Sequence, residues 1–147
     1  AYFGRDIVAT LGGMAIAWRR GERSSPQARL FAAVVVGTLP IGIVGLAFRK
    51  VIEGPLHNLW INAAMLAVMA LALFAAERCT KPSRPIEAVT LRDGLIVGCA
   101  QALALIPGAS RSGSTLTGAF LTGLERAAAV RFSFLLSLPA ILLSGLL

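Results

Sequence analysis

Long apolar runs alternate with short charged segments along this chain. Two runs, Leu30 to Phe48 and Leu56 to Ala76, each hold about 20 residues, enough for a helix to cross a hydrocarbon core of about 30 Å. Pro40 predicts a kink near the middle of the first of these helices. The run from Phe132 onward predicts a further spanning helix, whereas Ile7 to Trp18 is too short to span alone and predicts the end of a helix.

Two shorter apolar runs flank a polar segment in the second half of the chain. Gly94 to Ile106 holds about 13 residues and Leu116 to Leu124 holds fewer, so neither reaches across the hydrocarbon core. Two short helices around a polar turn predict a re-entrant hairpin, because non-helical backbone is tolerated at membrane depth only where it lines a cavity. Gly94, Gly98 and Ala102 recur every fourth residue, a stripe that either packs on a neighbouring helix or reflects the high Gly and Ala content.

The composition indicates a membrane protein and argues against a nucleic-acid-binding one. Of the 147 residues, 56% are hydrophobic and only 14% are charged, whereas soluble domains carry about 25% charged residues. The net charge of +7 comes from basic residues in short loops and not from a basic face with interleaved aromatic residues, so we expect no nucleic-acid partner. We predict an all-α fold, a polytopic transmembrane helical bundle with a re-entrant helix hairpin, in which residues 1–147 form a single integral membrane domain.

Basic residues concentrate in two of the loops. The segments Arg19–Arg29 and Glu77–Asp93 hold four Lys or Arg residues each, whereas the turn between the two spanning helices holds only Arg49 and Lys50. Cytoplasmic loops of membrane proteins carry an excess of Lys and Arg. The charge pattern therefore places the two rich loops in the cytoplasm.

The polar segment from Pro107 to Thr115 carries the candidate chemistry. Arg111 is the only charged residue between Gly94 and Leu124, and a guanidinium is costly at membrane depth unless it faces a partner or a water-filled cavity. Hydroxyl residues surround it, and two glycines let backbone N–H groups approach a ligand closely. Because Arg binds phosphate through paired hydrogen bonds, we predict a phosphate cradle. Its predicted binding residues are Gly108, Ser110, Arg111, Ser112, Gly113, Ser114 and Thr115.

Two other interpretations compete with a phosphate site. Clusters of Ser, Thr and Gly also form ordinary helix caps and turns, but the density of hydroxyls around one arginine favours an anion site. The stretch from Gly108 to Thr115 is one residue away from the Walker A pattern, with Ser114 in place of the phosphate-binding lysine. The run before it predicts a membrane helix and not a β-strand, so we reject nucleotide binding.

The segment Pro107–Thr115 resembles the Pro-Gly-x-Ser-Arg-Ser-x-x-Thr motif of the undecaprenyl pyrophosphate phosphatase family, which is also known for bacitracin resistance. The resemblance extends to Leu91–Gly94 and Gly98–Leu103 before the motif. It continues after the motif at Gly123–Arg126 and Arg131–Pro139. The chain is identified by these segments as a member of that family.

The resemblance implies hydrolysis of undecaprenyl pyrophosphate to undecaprenyl phosphate and inorganic phosphate, which recycles the lipid carrier for peptidoglycan synthesis. It implies that Arg111 clamps the pyrophosphate and that Ser110, Ser112 and Thr115 are catalytic residues that hydrogen-bond its oxygens. A serine nucleophile stays open, because nothing in the chain supplies its base.

Helix geometry suggests a further set of donors in this segment. We expect Ser110 or Ser112 to cap the helix that follows the turn. The cap would leave the N–H groups of Gly113, Ser114 and Thr115 pointing at the anion, aided by the helix dipole.

The resemblance also implies a divalent cation, Mg²⁺ or Ca²⁺, held by the acidic motif Glu/Gln-x-x-x-Glu with a nearby His in an N-terminal half. This sequence lacks that motif, since Glu22 with Glu53 and Glu77 with Glu87 lie at unrelated spacings in charged loops. His57 is the only His, and we interpret it as an interfacial residue. The metal ligands therefore stay unassigned. We expect the chain to be part of a longer protein and to be inactive on its own.

The expected partners are a polyprenyl pyrophosphate lipid and the bilayer, and a homodimer stays open. The family resemblance implies a multi-pass protein of the bacterial inner membrane, with the site facing the periplasm or cell exterior. The competing class is a transporter of lipid phosphates or other anions, because broken helices also bind anions in secondary transporters. A structural subunit ranks last, since it leaves the arginine and the hydroxyls without a role.

Overall fold

The computed structural model describes residues 2–21, 24–52 and 58–146, and the regular elements in these ranges are all helical. The helices are α1 (Tyr2–Arg19), α2 (Pro26–Ala47), α3 (Arg49–Ile52), α4 (Leu59–Cys79), α5 (Leu91–Ala102), α6 (Arg111–Leu121) and α7 (Arg126–Leu146), with 3₁₀ turns at Ile86–Ala88 and Leu103–Leu105. An isolated bridge between Arg84 and Leu124 is the one β-type pairing in the described ranges. The predicted all-α class is confirmed.

Within the described part of the chain, α2 and α4 are the helices long and apolar enough to cross a membrane. They cover two of the three runs predicted to span; the third, from Phe132 onward, lies in α7 and is not among these candidates, so its span stays a prediction. Pro26 occupies the first turn of α2, where its missing N–H costs nothing, and the Ser25 hydroxyl accepts a hydrogen bond from the N–H of Ala28 at 3.2 Å. Leu59 and Trp60 of α4 are about 80% and 82% exposed, in line with an apolar helix surface that faces lipid. These features fit a membrane protein.

The apolar core is formed mainly by buried residues of α1, α2, α5, α6 and α7, with α7 packed against α2 and α6. Its largest buried side chains are Phe132, Leu136, Leu124, Val97 and Met14. Burial of each of these side chains stabilises the folded state by about 1.5–3 kcal/mol.

Helix α5 packs closely on α2 through small residues. A side chain at Gly94 would strike the backbone of Ala33, and one at Gly98 would strike the backbone of Gly37. A side chain at Gly37 would in turn lie 2.7 Å from Leu136. Gly94 and Gly98 of the predicted stripe are therefore packing positions, as in other membrane helix pairs.

Helices α5 and α6 form an antiparallel hairpin. A Cβ atom at Gly118 in α6 would lie 2.8 Å from the Cβ of Ala100 and 3.2 Å from the Cα of Val97 in α5. The helices hold 12 and 11 residues, which at about 1.5 Å per residue makes each shorter than a hydrocarbon core of about 30 Å. The pair of short helices is thus as predicted.

The open end of this hairpin, where α5 begins and α6 ends, is held by Arg84. Its guanidinium donates to both carboxylate oxygens of Asp93, at 3.1 and 2.7 Å. It also donates to the carbonyls of Ala88 at 2.8 Å and Thr122 at 2.7 Å. Asp93 and Thr90 form a reciprocal capping box at the start of α5. One side chain therefore joins the loop, the first turn of α5 and the end of α6.

Candidate functional site

The closed end of the hairpin is the turn between the 3₁₀ segment and α6. The sequence predicted a polar loop from Pro107 to Thr115, but only its first part is a loop, because α6 begins at Arg111. The reason is the N-cap at Ser110, whose hydroxyl accepts a hydrogen bond from the N–H of Gly113 at 3.3 Å. The cap confirms Ser110 as the helix start and places Arg111 in the first helical turn.

Gly108 fixes the position of the turn against helix α4. Its φ of +90° lies in a region that only glycine enters without strain. A side chain there would also strike the backbone of Asn62 in α4. Both constraints require glycine at this position for packing against α4, and the predicted approach of Gly108 to a ligand stays a prediction.

The first-turn N–H groups differ from the expectation. The N–H of Gly113 donates to the Ser110 hydroxyl, and the N–H of Ser114 donates to the Ser110 carbonyl at 2.8 Å. These two donors are therefore engaged by the cap. The N–H groups that precede the first intrahelical bond are those of Arg111 and Ser112, and they have no acceptor within the described residues. The open donors at the positive end of the helix dipole thus begin two residues earlier than predicted.

The four hydroxyls of the segment divide into two pairs. Those of Ser110 and Ser112 are exposed, and their Oγ atoms lie 3.1 Å apart. Ser114 and Thr115 are fully buried. The Thr115 hydroxyl donates to its own helix, with the carbonyls of Arg111 and Ser112 at 3.0 and 3.1 Å, and Ser114 lies 3.9 Å from the sulfur of Met69. In this conformation only the first pair is oriented to meet an anion.

Arg111 lies beside the exposed pair. Its side chain is half-buried and has no hydrogen-bond or ion-pair partner among the described residues. Arg111 belongs to the same helical turn as two exposed hydroxyls and two open N–H groups, and these groups together can donate several hydrogen bonds to a phosphoryl group. The structure therefore brings Arg111, Ser110, Ser112 and Gly113 together at one helix start, and their contact with substrate stays a prediction.

A divalent cation does not fit the residues described around this turn. Mg²⁺ and Ca²⁺ take carboxylate and carbonyl oxygens as ligands, whereas the turn presents hydroxyls and a guanidinium. Within the described residues there is no group of three or more His, Cys, Asp or Glu side chains that could hold a metal ion. His57, Glu22 and Glu53 lie outside the described residues.

Sequence reasoning did not single out Asn62 or Ser133 among the buried polar groups of the helices near the turn. Asn62, which contacts Gly108, has a buried amide oxygen with no partner among the described residues, as do both amide atoms of Gln101 in the last turn of α5 and the hydroxyl of Ser133 in α7. Buried polar groups are normally hydrogen-bonded, so such atoms mark places where a water or ligand is held. The available signal was the presence of amide and hydroxyl residues inside apolar helices.

Comparison with known proteins gives a consistent assignment. Residues 1–147 match the model of the family described as bacitracin resistance protein BacA. The undecaprenyl-diphosphatase of Gloeobacter violaceus is 48% identical over 149 residues, covering 99% of this chain and 51% of that protein. The undecaprenyl-diphosphatase of Corynebacterium diphtheriae is 45% identical, with 99% and 51% covered. That of Parasynechococcus marenigrum is 48% identical, with 99% and 53% covered.

The match to the family model runs over the whole chain, so the chain belongs to the bacitracin resistance protein BacA family. The resemblance drawn from the Pro107–Thr115 motif is confirmed. The chain spans about half the length of the curated relatives that it matches.

Proposed function

We propose that this member of the BacA family takes part in the hydrolysis of undecaprenyl pyrophosphate to undecaprenyl phosphate and inorganic phosphate. The relatives named undecaprenyl-diphosphatase support the reaction. The observation that carries the proposal is the turn itself, where the unpartnered guanidinium of Arg111 stands beside the exposed hydroxyls of Ser110 and Ser112. The reaction would return the lipid carrier to peptidoglycan synthesis.

The geometry suggests how these residues act on a pyrophosphate. Hydrolysis breaks the bond between the terminal phosphorus and the bridging oxygen, and negative charge grows on the oxygens of both phosphates. Arg111 holds these oxygens with paired hydrogen bonds, and the N–H groups of Arg111 and Ser112 add donors at the positive end of α6. The Ser110 and Ser112 hydroxyls complete the cradle. Donors fixed before substrate arrives stabilise the developing charge without reorganisation.

The membrane arrangement follows from helix lengths and loop charges. We propose that α2 and α4 span the bacterial inner membrane as part of a polytopic bundle and that α5 and α6 form a re-entrant hairpin. The basic loops would lie in the cytoplasm, so the Arg84 end of the hairpin would be cytoplasmic. The closed end with Arg111 would then enter the membrane and open toward the periplasm, in a cavity that tolerates its non-helical backbone.

We propose that the chain acts within a longer polypeptide that supplies a divalent cation site, because family members pair this loop with an acidic motif that is absent here. The coverage of about half of each relative supports this. The term full polypeptide denotes residues 1–147 together with whatever sequence flanks them in the native protein. We expect the isolated chain to release no phosphate, and metal-dependent turnover by the isolated chain would contradict this.

The direct test is phosphate release from undecaprenyl pyrophosphate by the purified full polypeptide in detergent with Mg²⁺. The wild type should release phosphate and Arg111→Ala should not. Arg92→Ala is the matched control, because Arg92 is an exposed arginine at the opposite end of the same hairpin. Binding of the lipid without any phosphate release by the wild type would overturn hydrolysis and favour the transporter.

A further inference from the structure

A small cavity of about 170 Å³ opens beside the turn, between α6 and α7. Its volume equals that of about six liquid waters at about 30 Å³ each, so it takes a small group and not a long lipid chain. The surface that lines it is almost wholly apolar, although four of its seven residues carry hydroxyls. The lining residues are Ser112, Thr115, Leu116, Val130, Ser133, Phe134 and Ser137.

Ser133 is the unusual member of this wall. It is only 5% exposed, and its hydroxyl has no hydrogen-bond partner among the described residues. Ser137, one turn further along α7, has the ordinary arrangement, because its hydroxyl donates to the Ser133 carbonyl at 2.8 Å. A buried hydroxyl without a hydrogen-bond partner destabilises the folded state. The position of Ser133 in a cavity next to the Arg111 turn therefore points to a ligand that supplies the missing hydrogen bond.

We propose that Ser133 is a further substrate-binding residue, whose hydroxyl donates to the phosphate that remains on the lipid. This rests on the proposed hydrolysis at the Arg111 turn. Ser112 belongs both to that turn and to the cavity wall, so a pyrophosphate held at the turn reaches the cavity with one of its phosphates. The apolar walls at Leu116, Val130 and Phe134 match the first carbons of the polyprenyl chain.

The chemistry of the wall decides which phosphate lies there. The terminal phosphate leaves into water as an anion and gains nothing from apolar walls. The lipid-linked phosphate carries a hydrocarbon chain on one oxygen and needs a donor and an apolar surface side by side. Ser133 with its apolar neighbours supplies that combination.

The test compares Ser133→Ala with Ser83→Ala in the full polypeptide. Loss of a hydrogen bond to a charged oxygen should raise the KM for undecaprenyl pyrophosphate about tenfold in Ser133→Ala and should change kcat much less. Inhibition by added undecaprenyl phosphate should weaken by a similar factor, whereas inhibition by inorganic pyrophosphate should not change. Ser83→Ala removes an exposed hydroxyl in the loop at the opposite end of the hairpin and should match the wild type in all of these measurements. Ser133→Thr keeps a hydroxyl and should restore KM to within about threefold.

Thermal unfolding separates binding from a structural role. Ser133→Ala removes an unpaired buried hydroxyl, so its melting temperature without ligand should not fall below that of the wild type. An unchanged KM in a folded Ser133→Ala variant would overturn the proposal. Equal weakening of lipid phosphate and pyrophosphate inhibition would overturn the assignment to the lipid-linked phosphate. Failure of the proposed function would instead appear as absent phosphate release in the wild type.

Discussion

The two ends of the α5–α6 hairpin each carry an arginine, and the two arginines are in opposite situations. Arg84 at the open end donates to Asp93 and to the carbonyls of Ala88 and Thr122, so its donors are engaged by the fold. Arg111 at the closed end has no partner among the described residues and stands beside exposed hydroxyls. The same type of side chain thus holds the fold together at one end, and at the other end we propose that its free donors bind an anion.

The difference shows how a functional arginine can be distinguished from a structural one. A guanidinium has five N–H donors in a fixed plane, so the acceptors around it reveal its role. Where protein acceptors take those donors, the arginine joins segments of the chain, as Arg84 does. Where no protein acceptor takes those donors, as for Arg111 among the described residues, we propose that the complementary partner is an anion.

Replacement of Arg111 should give the largest difference between the two ends of the hairpin, because it should lower turnover without lowering stability. Arg111→Lys keeps the charge but loses the paired hydrogen bonds, so phosphate release by the full polypeptide should fall about 10²- to 10³-fold, or about 2.7–4 kcal/mol in the barrier. The melting temperature should stay at the wild-type value, because the Arg111 side chain makes no hydrogen bond or ion pair with the described residues. Arg92→Lys serves as control in the same assay. Near-normal turnover of Arg111→Lys would show that paired hydrogen bonds from Arg111 are not needed.

Replacement of Arg84 should give the reverse pattern. Arg84→Gln leaves the carboxylate of Asp93 buried without its partner, which should lower the free energy of unfolding by about 2 kcal/mol once the partial exposure of Arg84 is allowed for. The measurement is thermal or denaturant unfolding in detergent, with Arg92→Gln as the exposed control. An Arg84→Gln protein as stable as the wild type would show that the Arg84 contacts do not hold the hairpin.

Acid should weaken the Arg84 end and leave the Arg111 end unchanged. Asp93 lies next to the charged loop, outside the two candidate spans. Burial raises the pKa of its carboxyl, but hydrogen bonds from Arg84 and Thr90 outweigh this effect and hold the pKa below the usual 3.8. A lowered pKa contributes stability that is present above the ordinary value and is lost as the pH falls through the folded value. Between pH 6 and pH 3, the free energy of unfolding should therefore fall more in the wild type than in Asp93→Asn. Parallel curves for the two proteins would contradict this.

The hydroxyls of the turn should show the smallest effects. Ser112→Ala removes an exposed hydroxyl beside Arg111 and should lower phosphate release about tenfold without changing stability. Thr115→Val removes a hydrogen bond to the helix backbone and should lower stability by about 1 kcal/mol with a smaller effect on turnover. A larger turnover loss in Thr115→Val than in Ser112→Ala would mean that the buried hydroxyl rotates to meet substrate.

The sequence predicted the helical class, the two long apolar helices and the location of the polar turn, because run length and residue type determine these features locally. It did not predict that α6 begins at Arg111, since Ser110 was only one of two candidate caps. It also did not predict the contacts of Arg84. Arg84 sits in a loop of many charges, and its contact with Thr122 depends on how the hairpin folds back. The orphaned hydroxyl of Ser133 likewise depends on which helices meet.

Arg111 is proposed to bind substrate, whereas Arg84 holds the fold. The most direct measurement of this difference is phosphate release per folded molecule, determined side by side for Arg111→Gln and Arg84→Gln in the full polypeptide. We predict that Arg111→Gln folds like the wild type and loses turnover, whereas Arg84→Gln loses turnover only in proportion to its unfolded fraction. Wild-type turnover per folded molecule in Arg111→Gln, or a fully folded but inactive Arg84→Gln, would contradict this division of roles.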